Sequence, residues 1–485
     1  MCQQFLHPIL LTSVTRTLTM SASFVVEWAK AQQPKGTSIK SASVFYRNLE
    51  EELDLRRAQH ICLTPHTRDN AIDFSSTDVL GLSSSGSLRV AFLDEFAQHP
   101  SFQLSSHGSR LTDGNSKYLE TQERELAEFH GAESALIVSA GSVANGAIFS
   151  VIPRPGDAIV YDEFIHASVH DGMKDSLALF KRPFRHNDVD SFLDTLVAVR
   201  DSQPQIRKGT RCVIIAVESI YSMDGDVCPL QDLIKAAKEI FPNGNAQFVI
   251  DEAHSTGVIG PKGAGLVCAL GLEKDVAIRL HTFGKALAAS GAVILSNNTV
   301  RTMLLNYARG IMFTVAPSFP MLASIRAVYT LLKTGKTQQA QDRIQHVVKL
   351  FLEKITSSPI LDRANNAGIL RIPLHEDWES RPFVTQIVPI WTRPRQNFFL
   401  AFHLQLAGFS AFPIYFPVVP KGAERVRLVF HTSNTDAEVE ALVACICAWA
   451  EEMLEIEERS DGVRLPAAAR RVYALMAKEG LNPSK

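Results

Sequence analysis

Five short runs dominated by Val, Ile, Leu and Ala recur between helical stretches from about residue 74 to 320: Ser134–Ser139, Asp157–Tyr161, Cys212–Val217, Gln247–Asp251 and Ala292–Leu295. Their apolar residues are nearly continuous rather than alternating, as in strands covered by helices on both faces. Few architectures satisfy that pattern. It predicts an α/β layer fold with a mostly parallel central sheet, whose ligands sit beyond the carboxyl ends of the strands. The expected organisation is an N-terminal arm with one helix over 1–73, a large α/β domain over 74–325, and a smaller α+β domain with a tail over 326–485.

Within the arm, Ser43 to His60 reads as a charged helix. Beyond about 325 the pattern gives a long helix, then strands over Thr385–Ile390 and Val426–Phe430. The Phe398–Val419 region reads as a helix ending at Gly408 followed by a buried strand. Thr435 and Glu438 form a capping box that opens a helix whose apolar face is Val439, Leu442, Val443, Ile446, Ala450 and Met453. A further short helix is expected over Pro466–Lys478.

Bulk properties exclude several classes. Net charge is −2 with 21% charged residues, so no basic surface argues for nucleic acid. No apolar run reaches the ~18 residues of a membrane span. The seven cysteines are scattered without a CxxC pair, which indicates neither a disulfide framework nor a metal site. The cytosol is the default compartment, with a mitochondrial presequence in the acid-poor first 26 residues as the alternative.

The chemistry gathers at strand ends. Phe248–Gly260 delivers Asp251 and His254 at the end of one apolar run, and Thr282-Phe-Gly-Lys285 follows the next, Val276–His281. A lysine can join an aldehyde, a carboxylate can keep a pyridine nitrogen protonated, and a histidine can bond the ring's 3′ oxygen: the set that pyridoxal phosphate (PLP) requires. His166 can stack on the pyridine face. Gly141 and Ser142 follow a strand and open a small-residue helix, which suits a phosphate. Taken singly, each has a plainer reading: an N-cap aspartate, packed histidines, an ordinary glycine turn.

Together with Asp78–Ser83, Gly108–Gly114, Glu123–Gly131, His166-Ala-Ser168 and Glu218–Asp226, these blocks resemble the α-oxoamine synthases of PLP fold type I over roughly residues 45–455. That family includes 8-amino-7-oxononanoate synthase, 2-amino-3-ketobutyrate CoA ligase, 5-aminolevulinate synthase and serine palmitoyltransferase. The resemblance implies that Lys285 carries the cofactor and moves the substrate's α-proton, and that Asp251 faces the ring nitrogen. His254 and Ser222 then flank the 3′ oxygen, His166 stacks, and Gly141, Ser142 and Thr282 contact the phosphate. Thr314 corresponds to a phosphate contact reaching in from a second subunit, hence a homodimer. Glu218 matches a site carboxylate of open role. The implied reaction joins an amino acid to an acyl thioester, on coenzyme A or a carrier protein. It usually proceeds with loss of carbon dioxide to an α-amino ketone, in a biotin-like or secondary-metabolite pathway.

Three positions depart from the family pattern. Tyr415, before Val419-Pro420-Lys421-Gly422, aligns with an arginine that holds the amino acid's carboxylate; Thr77 and Leu119 replace an asparagine and a histidine. Lys421, Arg425 and Arg427 are the nearby cations. The alternatives are a PLP-dependent aminotransferase, which keeps Lys285 and Asp251 but ordinarily needs the lost arginine, and a non-catalytic partner subunit, against which Lys285 argues.

Overall fold

The computed structural model describes residues 27–478 except 37–38, 64, 66–70, 377 and 460–463. The first 26 residues, with the presequence reading, lie outside the described part. Two compact units result, one of Thr77–His346 with His431–Ser433, the other of the chain up to Ser76 with Val347–Phe430 and Asn434 onward.

The larger unit is built on seven strands: β1 Ser134–Val138, β2 Ala158–Asp162, β3 Phe180–Phe184, β4 Val213–Glu218, β5 Ala246–Asp251, β6 Ile278–Thr282 and β7 Ala292–Ser296. Their order is β1-β7-β6-β5-β4-β2-β3, and only β7 runs against its neighbours. This is the mostly parallel sheet the Val/Ile runs demand. β1, β4 and β7 are buried throughout, each Val or Ile side chain contributing about 1.5–3 kcal/mol as it leaves water. β3 was not legible as a strand. Its residues, Phe-Lys-Arg-Pro-Phe, are half exposed at the sheet edge, where Pro183 costs no ladder bond.

Helix Gly141–Val151 crosses one face and buries Ala144, Ala147, Ile148 and Phe149. Helix Ala167–Lys174 packs on it at Gly172, where an added Cβ would meet the Asn145 carbonyl at 2.9 Å. The long helix read beyond 325 is two helices, Phe319–Lys333 and Gln338–Thr356. Gly335 breaks them with φ +73°, a conformation glycine adopts without strain.

In the smaller unit, helix Val44–Ala58 matches the charged helix of the arm. Its sheet comprises β8 Leu370–Arg371, β9 Ile387–Thr392, β10 Phe412–Ile414 and β11 Arg425–Val429, antiparallel in the order β10-β11-β9-β8. Helix Gln396–Leu406 precedes β10, and helix Ala467–Lys478 forms where the tail helix was expected. Thr435 Oγ1 accepts the Glu438 N–H while Glu438 accepts that of Thr435, so the capping box forms, and the predicted apolar face of Asp436–Glu458 is buried. No described helix is long and apolar enough to cross a membrane.

Candidate active site

The site lies on the carboxyl ends of β2, β4, β5 and β6. In the sheet register Glu218 stands opposite Asp251, so two carboxylates end adjacent parallel strands. Asp251 is fixed from two sides: Oδ1 accepts the Ala253 N–H at 2.9 Å and Oδ2 accepts Asn145 Nδ2 at 2.9 Å. The same Asn145 amide donates to Ser168 Oγ at 3.1 Å, and Ser168 lies 2.8 Å from His166 Nδ1. A continuous chain therefore runs from Asp251 through Asn145 and Ser168 to His166. Because Nδ1 also accepts the Ser168 N–H, the imidazole presents a lone pair there and carries its proton on Nε2.

Much of the His166 side chain is open to solvent. Packing under the ring still lowers its pKa, a shift that Asp251 opposes and Lys285 reinforces. Glu218 is only 3% exposed. Burial pushes its carboxyl well above the usual carboxylate range, the Asp251 charge adding to this while Lys285 and the His166 backbone N–H oppose it. The strand-end pair thus consists of Asp251, anchored from two sides, and Glu218, whose charged form burial disfavours.

Lys285 sits half-buried in the turn between β6 and β7, its Nζ donating to His254 Nε2 at 3.0 Å. His254 is 7% exposed and lies just past Asp251 on the loop after β5. The turn closes on itself: Phe283 N–H bonds the Gly291 carbonyl at 2.9 Å, and Ala289 N–H that of Phe283 at 2.9 Å. Ser222 lies half-buried in the loop after β4.

Gly141 is the first residue of its helix, and the preceding Ala140 gives no side-chain cap. The first-turn N–H groups of Gly141 and Ser142 are thus left to other acceptors. Thr282 at the end of β6 faces them; a Cβ on Gly141 would lie 3.6 Å from its Oγ1. Uncapped helix amides beside a hydroxyl form an anion cradle. Cradle, anchored carboxylate and lysine amine fit the phosphate, ring nitrogen and aldehyde of PLP. Thr314 lies on an exposed stretch between Phe313 and Val315.

Asn145 and Ser168 were not singled out by sequence. The available signal was an asparagine, a poor helix former, inside an otherwise small and apolar helix. Of the cations near Tyr415, Arg425 is buried with its guanidinium 4.4 Å over Trp391, and Lys421 stands over Phe416. Arg427 is held in β11, its pKa lowered by burial. The metal-like cluster His186, Asp224 and Asp226 among the described residues has its imidazole already committed, Nδ1 to Asp162 and Nε2 to Asp226.

Residues 69–446 match the family "Aminotransferase class I and II". The chain is 53% identical to an aminoacyl transferase sphA of Aspergillus fumigatus, over 94% of this chain and 98% of that one. It is 42% identical to an 8-amino-7-oxononanoate synthase of Emericella nidulans, over 82% and 94%. In fold it matches a solved serine palmitoyltransferase of S. paucimobilis bound to PLP–myriocin, with TM-score 0.64, 22% identity and coverage of 80% and 88%. An 8-amino-7-oxononanoate synthase of Francisella tularensis gives TM-score 0.60, 24% identity and coverage of 81% and 100%. With the strand-end lysine and carboxylate in this sheet, these relatives place the chain in the aminotransferase class I and II family, on its α-oxoamine synthase branch, as a PLP-dependent acyltransferase.

Proposed function

We propose that this enzyme condenses an amino acid with an acyl thioester, releasing the thiol and then carbon dioxide to leave an α-amino ketone, and that the residues above divide the work as follows. When bound, PLP supplies the electron sink that stabilises the amino acid's Cα carbanion as it attacks the thioester carbonyl. Asp251, locked by Asn145 and the Ala253 N–H, offers a fixed negative charge to the ring nitrogen. His166 lays its imidazole against the ring, and the amides of Gly141 and Ser142 with Thr282 hold the phosphate. Ser222 and His254 flank the 3′ oxygen. Glu218 stands beside Asp251 at the neighbouring strand end and accepts the His166 backbone N–H.

Lys285 takes and returns the Cα proton. Its amine lies 3.0 Å from the His254 ring, which gives it a partner for that proton. This contact, at the end of the sheet that holds Asp251, is the observation that carries the reading. Thr314 acts across a homodimer. The bracketing Phe313 and Val315, 71% and 58% exposed, form an apolar stretch that a second copy would cover. The six described cysteines are unpaired, which suits the cytosol.

The test incubates the holoenzyme with a panel of isotopically labelled amino acids and acyl-coenzyme A thioesters. Coupled release of free thiol and labelled carbon dioxide is the expected result. Appearance of a 2-oxo acid without thiol release would instead establish a transaminase.

A further inference from the structure

We infer that the smaller unit holds the hydrocarbon tail of the acyl donor, in a cavity of about 500 Å³ walled by Trp28, Phe398, Phe402, Phe412, Ile414 and Tyr415. The inference names a substrate class for the acyl transfer proposed above and rests on that reading. The volume lies within the range of small-molecule sites, about 300–1,000 Å³. The wall is a continuous aromatic surface. The Trp28 ring is 5.4 Å from that of Phe402, and Phe398 lies 5.2 Å from Tyr415 at an interplanar angle of 32°. Phe402 belongs to a buried apolar cluster with Ala29, Leu406, Val472 and Met476, so the wall is backed rather than collapsible.

The polar groups of the wall point to what the cavity takes. Gln405 donates its amide to the Ala411 carbonyl at 2.9 Å, and the Tyr415 hydroxyl is directed at the Ile61 carbonyl, 3.5 Å away. The two charged lining residues, Glu27 and Arg56, are opposite in sign and both exposed, at the rim. A charged chain end seated among the rings would lose its hydration while the lining cation, Arg56, stays in water at the rim, which is disfavoured. At the mouth, Leu63 and Val418 expose 73% and 58% of their surface, a lip that an entering hydrocarbon would cover. An acyl thioester whose tail is long must remove that tail from water, and this cavity is lined to receive it. Tyr415 forms part of the wall at the position where the family pattern has an arginine. The exchange replaces a guanidinium with an aromatic ring at the cavity.

The test uses the full-length holoenzyme. Stearoyl-coenzyme A brominated at mid-chain is titrated without amino acid, and tryptophan fluorescence reports the bromine's proximity. Saturable quenching that disappears in Trp28→Phe is expected; no quenching, or quenching unchanged in Trp28→Phe, overturns the inference. Turnover is then compared for palmitoyl- and butyryl-coenzyme A. Ala401→Trp, or Ala401→Leu if the larger residue prevents folding, should lower the palmitoyl-to-butyryl ratio of kcat/KM by roughly ten-fold or more, the equivalent of about two methylenes returned to water. An unchanged ratio overturns the pocket even with acyl transfer intact. Trp28-dependent quenching without turnover of any thioester supports the pocket and sinks the acyl-transfer reading instead.

Discussion

Asn145 Nδ2 stands 2.9 Å from Asp251 Oδ2 and 3.1 Å from Ser168 Oγ, so one buried amide fixes the carboxylate on β5 and, through Ser168, the ring of His166. These residues come from three separate stretches of chain, and none could hold that geometry alone.

Replacing Asn145 with Ala removes a hydrogen bond to a charged acceptor, typically about 1.5–3 kcal/mol. Cofactor retention should fall by roughly ten- to a hundred-fold, measured as the PLP concentration needed to half-restore absorbance after dialysis. Retention equal to that of the unaltered protein would remove Asn145 from the site.

Lys285→Ala should eliminate the visible absorbance of the covalently held cofactor together with amino-acid turnover, while far-ultraviolet circular dichroism stays native. Retained absorbance would mean that another amine carries the cofactor.

Backbone shape at the lysine turn is tested by Gly291→Ala. Gly291 has φ +104°, and a Cβ would meet Met321 Cε at 2.3 Å and the Val138 carbonyl at 3.0 Å. A non-glycine residue in such a conformation costs about 1–3 kcal/mol before the clash is counted. A lower melting temperature together with weakened PLP retention is expected, since the Gly291 carbonyl closes the turn through Phe283. A melting temperature equal to that of the unaltered protein would show that the turn relaxes freely.

His186 bonds Asp162 at 2.9 Å and Asp226 at 2.7 Å, tying the end of β2 to the loop that carries Ser222. Burial alone would lower its pKa, but these two carboxylates raise it to about 10. A histidine raised above its unfolded value of 6.5 contributes its full stabilisation below about pH 6.5 and loses it as pH rises toward 10. The stability difference between the native protein and His186→Gln should therefore shrink over that window, as followed by urea unfolding. A difference constant in pH would show that the ring is not cationic.

Mixing two inactive chains tests the dimer. Thr314→Asp sets a like charge against the phosphate and, with Lys285→Ala, should give mixed dimers that contain one intact site. Activity recovered after co-refolding marks Thr314 as acting in trans; none recovered would confine it to its own chain.

Much of this enzyme was legible because its chemistry is local in sequence. Near-continuous Val/Ile runs require a sheet covered on both faces, and Asp251, His254 and Lys285 follow such runs directly, so their placement at strand ends followed from pattern. The Thr435–Glu438 cap spans one helical turn and was equally readable. Tertiary structure alone decided what depends on distant segments meeting. β3 lacks a β-branched run and is a strand only because β2 offers it an edge. Asn145 meets Asp251 across 106 positions, through the packing of a helix on the sheet. The aromatic cavity draws Trp28, Phe398 and Tyr415 from opposite ends of the chain. Local sequence specifies backbone periodicity and turn chemistry, whereas long-range neighbours are chosen by which buried faces cover one another, a property of the whole fold.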